Sequence, residues 1–554
     1  MAFRTGLLAL CLAVLAGCAD NRPDAIFFGG VIYTGEEGLQ TVEAVAVRRS
    51  RIVYAGPADD ILKDTKPETE LIDLKGAVMY PGFIDAHAHL AGVGARELTF
   101  NLEGTASIVE LVTRVEAELT DTGEGEVLFG RGWIETHWPE ARFPTRDDLD
   151  AVSGDNPVIL IRADGHALVA NSQALDAAGI DVDTPDPSGG RIERDETGRA
   201  TGMLIDAAMS LVNLDQELSP EQVKEQLQAG GEVYARRGWT NMHNMSAPPQ
   251  HVRLMEELSV DGKLPIRVYN FLTPEGFESL VLYGPGVSPG ALIETRAVKI
   301  YMDGALGSRG AALNEPYSDQ PDTSGLMLRG EDETLEMFEE ALKRDVQLAV
   351  HAIGDKANTL ALDWMEKALE DKYPGADPRW RIEHAQILSP NDISRFAKLG
   401  VIASMQPSHA IGDLHFAPDR LGEARLSGAY AWRSLLDAGA VIAAGSDAPV
   451  EVGDPLIEFY AAVARKDLSG YAGDNWHSEQ AVSREEALKM MTYWPAYASF
   501  REDDLGTIEV GKYADFTVLN GDLMTVLDSE ILGLKPVMTV VGGAVVWSDA
   551  NAQN

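Results

Sequence analysis

The sequence predicts an α/β fold: a (β/α)8 TIM-like barrel, a composite β-sandwich built by the two ends of the chain, and an insertion after the first barrel strand. Three observations predict it. Eight apolar, strand-like runs alternate with segments that carry helix caps, the pattern of a closed parallel sheet. Short alternating strand patterns separated by turn residues stand at both ends of the chain. Histidine, lysine and carboxylate residues recur just after the apolar runs, where barrel enzymes place their reactive groups.

Residues 1–17 read as an export signal. Arg4 supplies the positive charge, residues 6–16 an apolar run of 11, and LAGC at 15–18 a processing site. Such a run falls short of the ~20 residues a spanning helix needs. LAGC resembles a bacterial lipobox, in which cleavage precedes the cysteine and lipid is attached to it. Cys18 is therefore the expected lipidation site, with ordinary secretion as the alternative. The expected location is the cell envelope, exported and lipid-anchored. Ala19 follows the cysteine, which in a Gram-negative host favours the periplasmic side of the outer membrane. Contact with the membrane is expected through the anchor alone.

Cys11 and Cys18 are the two cysteines, so the body of the protein has no disulfide and no thiolate nucleophile or metal ligand. Stability must come from a large core, which 554 residues at 45% hydrophobic content can fill. With 46 basic against 87 acidic residues and a formal charge of −41, the surface repels phosphate backbones. No nucleic-acid partner is expected.

Residues 18–80 contain alternating runs at 25–28, 31–33, 42–47 and 52–54, and similar runs return at 515–519 and 537–547 within residues 497–554. Neither end has strands enough for a stable sandwich, and each alone would leave open edges. The two are expected to pair with each other. The first barrel strand lies in residues 81–100 and starts at Phe83. Seven more lie at 239–245, 265–272, 297–302, 346–351, 380–385, 401–405 and 441–444, within residues 206–496. Ser219-Pro220 with Gln222, Ser389-Pro390, and Ser483 with Glu486 open helices between or after them. The 149 positions from His89 to Gly238 exceed what a barrel crossover needs. Residues 101–205 are thus an insertion, with a strand at 157–162, expected to roof the active-site face.

In PGFIDAHAHL, residues 81–90, strand alternation turns Asp85, His87 and His89 the same way, and two imidazoles one step apart can grip a metal ion. Alone, the pair reads as ordinary polar residues at a strand end. Later strand ends change that. Lys299 stands in VKIYMDG, His351 in HAIGD, Glu383 and His384 in RIEHAQ, and Asp447 in GSDAP. Four of eleven histidines, one lysine and one aspartate then converge at one mouth, which favours a metal centre over chance.

Segments 81–90, 164–166 with 169–172, 298–308, 351–355, 381–386, 403–407, 445–450 and 506–515 together resemble the amidohydrolase superfamily, in its YtcJ-like branch of N-substituted formamide deformylase type (amidohydrolase 3). The resemblance spans essentially all of the chain after the leader. It implies a metal-dependent barrel flanked by a composite β-sandwich. It further implies that His87 and His89 ligate a first metal with Asp447 beside it. Lys299, carboxylated, would bridge to a second metal on His351 and His384.

Two divalent ions are expected, and nitrogen and oxygen ligands without thiolate suit zinc. A plain ammonium among metal ions would be repelled, which supports carboxylation; the alternative is a Lys299–Asp303 ion pair. Glu383 and Asp355 are candidates for orienting histidine rings. A structural Glu383–His384 pair is the alternative, though strand alternation turns only one of the two inward. His166, Trp133, Arg309 and His409 are candidate substrate contacts. Beside them stand Asn171, His137 and His415, while His243 reads equally as core or pocket, and Arg309 equally as an ion-pair partner. The expected activity is hydrolysis of non-peptide C–N bonds of amide type, such as N-substituted formamides or related acyl-amines, by a metal-activated water. Asp447 would be its catalytic acid–base. Rivals are a cyclic-amide hydrolase or deaminase, and a non-catalytic binding lipoprotein. The expected partner is a small-molecule amide, and a homodimer is among the expected assemblies.

Overall fold

The computed structural model describes residues 22–135, 138–162, 167–187, 190–212, 218–473 and 476–550. Eight parallel strands follow one another around the barrel: Phe83–Ala88, Trp239–Ala247, Arg267–Leu272, Ile293–Tyr301, Gln347–Ala352, Arg381–His384, Ile402–Met405 and Ile442–Ala444. Each pairs in parallel with its neighbours in chain order, as the alternation of apolar runs and capped helices requires. Their inner residues are almost all buried.

The circle closes between the eighth strand and the first without a ladder. Asp447 N donates to His87 O at 2.6 Å and His89 N to Ala448 O at 2.8 Å. Asp85 reaches across, accepting from Ser446 N at 2.9 Å and from Ser446 Oγ at 2.6 Å. A Cβ at Gly445 would lie 2.3 Å from His87 N, so this approach needs glycine.

The helix after the insertion, Pro220–Arg237, begins in the Ser219–Gln222 capping box and ends on Gly238 at φ +93°. Arg484–Met490 has the Ser483–Glu486 box. The helix expected at Ser389-Pro390 starts later, at Ile393, because residues 389–392 form a turn.

The chain ends do pair. Five N-terminal strands, Ala25–Tyr33, Thr41–Arg48, Arg51–Gly56, Glu70–Asp73 and Val78–Pro81, join three C-terminal ones, Phe516–Leu519, Pro536–Val541 and Ala544–Ser548. The seam is antiparallel, with Met79 opposite Val518 and Tyr80 opposite Thr517. Its buried face mixes both ends, Phe27, Val45 and Met79 with Phe516, Val518 and Val540. The ring of Phe27 meets that of Phe516 edge-on at 5.3 Å.

This layer is locked to the barrel by Arg267 and Asp515, whose side chains are 3% and 5% exposed and joined by two hydrogen bonds of 2.6 and 2.9 Å. Removing one partner strands a buried charge. Asp515→Ala is therefore expected to lower unfolding stability by about 3–5 kcal/mol in denaturant titration. A loss below ~1 kcal/mol, as for surface pairs, would contradict the lock.

The insertion forms its own six-stranded sheet, from Phe100–Asn101 to Ala200–Asp206, over a separate core of Leu111, Leu149, Leu160, Val169 and their neighbours. No described residue of it lines the cavity at the barrel mouth. Among the described residues no helix is long and apolar enough to cross a membrane. Cys18 and the leader lie outside them.

Candidate metal centre

A cavity of about 460 Å³ opens at the C-terminal ends of the barrel strands, and His87, His89, Lys299, His351, His384 and Asp447 all line it. The structure thus brings the six candidate ligands together. Nitrogen or oxygen atoms of His87, His384 and Asp447 lie within 4.8 Å of one another. The His351 and His384 rings are 4.6 Å apart, and those of His87 and His384 4.9 Å.

Three rings are held by Nδ1 so that Nε2 is left for the centre. His87 Nδ1 donates to Glu383 Oε2 at 2.5 Å, His89 Nδ1 to Met245 O at 3.1 Å and His384 Nδ1 to Gln406 Oε1 at 2.7 Å. A ring that gives its Nδ1 proton away offers a lone pair at Nε2. Yet His89 Nε2 stands 3.1 Å from Asp447 Oδ1, and His87 Nε2 stands 3.5 Å from the same oxygen. His87 Nε2 and the Asp447 carboxylate both offer lone pairs to the space between them, which suits a cation. His351 Nε2 is buried with no hydrogen-bond partner among the described residues. Neutral imidazoles, a carboxylate and an amine without thiolate make a donor set that fits a borderline ion such as zinc.

Electrostatics agree. Burial, reinforced by the nearby Lys299 charge, pushes His87 down to about 4 and His351 to about 3, so both rings are neutral at pH 7. Burial and His351 hold His384 well below the ordinary histidine range. Burial works to raise Asp447, but His87, a hydrogen bond from His89, and His384 outweigh it, and the carboxylate stays ionised. Lys299 is 1% exposed and forms no ion pair with a described carboxylate; burial lowers it to about 8. Asp303 does not pair with it, because its oxygens accept from the backbone of Ala312, Ile353 and Gly354.

Glu383 and His384 both face the centre, against simple alternation. His384 at φ +73° and Ala385 at φ +41° break the strand geometry, and Asp447 at φ +58° does the same on the eighth strand. Such left-handed backbone at non-glycine residues is costly and gathers at functional sites.

The remaining candidates divide. His409 lines the cavity, its ring stacked on His384 at 5.9 Å and its Nε2 3.7 Å from Asp447 Oδ2. Trp133 is a correction: it is fully buried in the insertion's core, with Nε1 donating to Leu160 O. An indole at the end of a short strand packs there. Asp355 is a second correction. It begins the helix Asp355–Lys372, where a carboxylate is favoured, and accepts from Asn314 instead of a histidine. Arg309 is a third, since Asp319 takes its guanidinium at 2.8 Å and it does not line the cavity. Asn171 caps the helix Ser172–Ala177. His243 is buried beneath the cavity, and His415 pairs with Asp467 at the surface. His166 and His137 lie outside the described residues.

Sequence reading missed Gln406, the carbonyl of Met245, and Arg381, which grips Glu383 through two hydrogen bonds of 2.8 and 3.0 Å. The spacing of Arg381 and Glu383, two apart on one strand face, was the available signal. It also missed Asp413, which accepts from Gln386 and Tyr430 in the cavity wall.

Known proteins are similar to this chain over nearly its whole length. Residues 70–547 match the model of the amidohydrolase family. The chain is 36% identical to YtcJ of Bacillus subtilis, covering 94% of this chain and 99% of that one. It is 30% identical to N-substituted formamide deformylase of Arthrobacter pascens, covering 94% and 98%. The crystal structure of an uncharacterized metal-dependent hydrolase from Pyrococcus horikoshii superposes with a TM-score of 0.76 at 30% identity, covering 91% of this chain and 99% of that one. With a barrel, a histidine and carboxylate centre at its mouth, and matches that run nearly end to end, this chain belongs to the amidohydrolase family of hydrolases.

Proposed function

We propose that the protein hydrolyses a non-peptide C–N bond of amide type, with N-substituted formamides and related acyl-amines as the first class to test. The observation that carries this reading is the ionised Asp447 set beside the Nε2 atoms of His87 and His89 in an open cavity. The deformylase relative supports the bond type. His87, His89 and Asp447 would hold one divalent ion, His351 and His384 another, with a carboxylated Lys299 between them; zinc is the proposed metal. Bound there, the ions would supply an activated water and polarise the scissile carbonyl.

The chain's own groups do the rest. Asp447 takes the proton from the attacking water and returns it to the departing amine, which would otherwise leave as a prohibitively basic amide anion. Its backbone N–H bond to His87 O fixes it. His409 Nε2, beside Asp447 Oδ2, faces the same space and is a contact for the substrate. Leu306, Ile353 and Phe416 give the cavity an apolar wall. A panel of formamides, longer amides, lactams and aminoacyl compounds, run with and without chelator, tests the proposal. Turnover confined to lactams would favour a cyclic-amide hydrolase. Chelator-insensitive or absent turnover would remove the enzyme reading.

We also propose that Cys18 carries lipid and anchors the protein to the envelope. The Cys18→Ala variant should move from the membrane to the soluble fraction, and intact mass of the parent should show acylation. A parent already soluble and unacylated would overturn the anchor.

A further inference from the structure

Beneath the cavity lies a buried charge that takes no part in the steps above. Arg381 is 0% exposed, and its guanidinium meets five strands of the barrel. Nε donates to Glu383 Oε1 at 2.8 Å and Nη2 to Glu383 Oε2 at 3.0 Å. Nη1 donates to His243 Nδ1 at 2.8 Å, and Nη2 also to Ala86 O and Ser404 Oγ, each at 2.6 Å. The planar group lies 4.7 Å over the Phe271 ring. We propose that Arg381 is a positioning residue for the metal centre: it fixes Glu383 so that the carboxylate holds the His87 ring with Nε2 turned to the ion. The proposal rests on the metal reading above.

Glu383 has two partners among the described residues, Arg381 and His87. No other described residue hydrogen-bonds its carboxylate. A two-point fork holds both oxygens in one plane, which a lysine ammonium cannot do. Oε2 is then 2.5 Å from His87 Nδ1, which requires the proton on Nδ1 and leaves Nε2 free as a donor to metal. The pair also brings no net charge into the barrel. Sequence position makes the relay possible, since Arg381 and Glu383 share a face and the next residue, His384, is turned inward by its left-handed backbone.

The test compares the full-length parent with Arg381→Lys, with the charge-balanced Arg381→Met/Glu383→Gln double variant, and with Ser404→Ala. The last removes a contact of Arg381 but leaves the Glu383 fork. Zinc affinity is read by chelator competition, and the unfolding midpoint of each metal-free protein is measured alongside. Expected are a 10–100-fold loss of affinity for the first two, the usual worth of a residue behind a ligand, and no change for Ser404→Ala. Arg381→Lys binding zinc as tightly as the parent overturns the proposal, whatever its stability. A crystal structure of the zinc-loaded parent gives a readout free of folding failures. His87 must ligate through Nε2 with Nδ1 on Glu383, and ligation through Nδ1 overturns the proposal. A parent that binds no zinc overturns the metal centre itself, a separate failure.

Discussion

Lys299→Ala should leave a folded barrel that has lost at least one of about two metal ions per chain and hydrolyses amides about 10³-fold more slowly or worse. The lysine sits at the end of an apolar strand, 1% exposed, with its Nζ 3.5 Å from His87 Nε2. Burial lowers it to about 8, so an appreciable part is neutral amine near neutral pH, the form that can take up carbon dioxide. As a carbamate it becomes an anion with two oxygens in a position where an ammonium would repel any cation held by His87. Because it forms no ion pair with a described carboxylate, its removal breaks no such pair, and the fold should survive. Elemental analysis, circular dichroism and rate measured on one preparation check the three parts together. A variant that keeps both metals and the parental rate would remove Lys299 from the centre.

The barrel was legible because apolar strand runs alternate with capped helices, such as Pro220–Arg237, which opens on Ser219 and closes on Gly238. Pairing of the two chain ends followed from the open edges each would otherwise leave, and the Val78–Pro81 to Phe516–Leu519 seam is where they meet. The gathering of the six metal-ligand candidates at one cavity was legible because strand ends collect chemistry in this architecture. What failed was orientation. Alternation allowed one of Glu383 and His384 to face inward, and only the positive φ at His384 lets both do so. By position Trp133 looked like a substrate contact and Asp355 like a partner for a histidine ring, yet packing and a helix start claim them. Gln406 and Met245 O were invisible because a ring's second hydrogen bond depends on which neighbour the fold brings to it.

Asp447→Asn should keep near-normal metal at the other ligands and lose about 10²–10⁴ in rate, the range of general acid–base catalysis. The substitution is close to isosteric. Its amide can still occupy the space beside His89 Nε2, now 3.1 Å from Oδ1, and the backbone bond to His87 O is untouched. What it removes is the negative charge that the surrounding histidines keep ionised against burial, and with it the lone pair that receives a proton. Without that acceptor the attacking water must lose its proton to solvent, and the amine must find one elsewhere. His409 is the group placed to compensate, with Nε2 3.7 Å from Asp447 Oδ2. The Asp447→Asn/His409→Ala double variant therefore separates the two routes. If Asp447 carries the proton, adding His409→Ala raises KM, as loss of a substrate contact should, but changes the kcat of Asp447→Asn little. If His409 carries it and Asp447 serves only as a ligand, Asp447→Asn alone should lose metal in proportion to rate, and the double variant should fall much further. An Asp447→Asn protein that holds its metals and turns over amides at the parental rate would take the carboxylate out of the mechanism altogether.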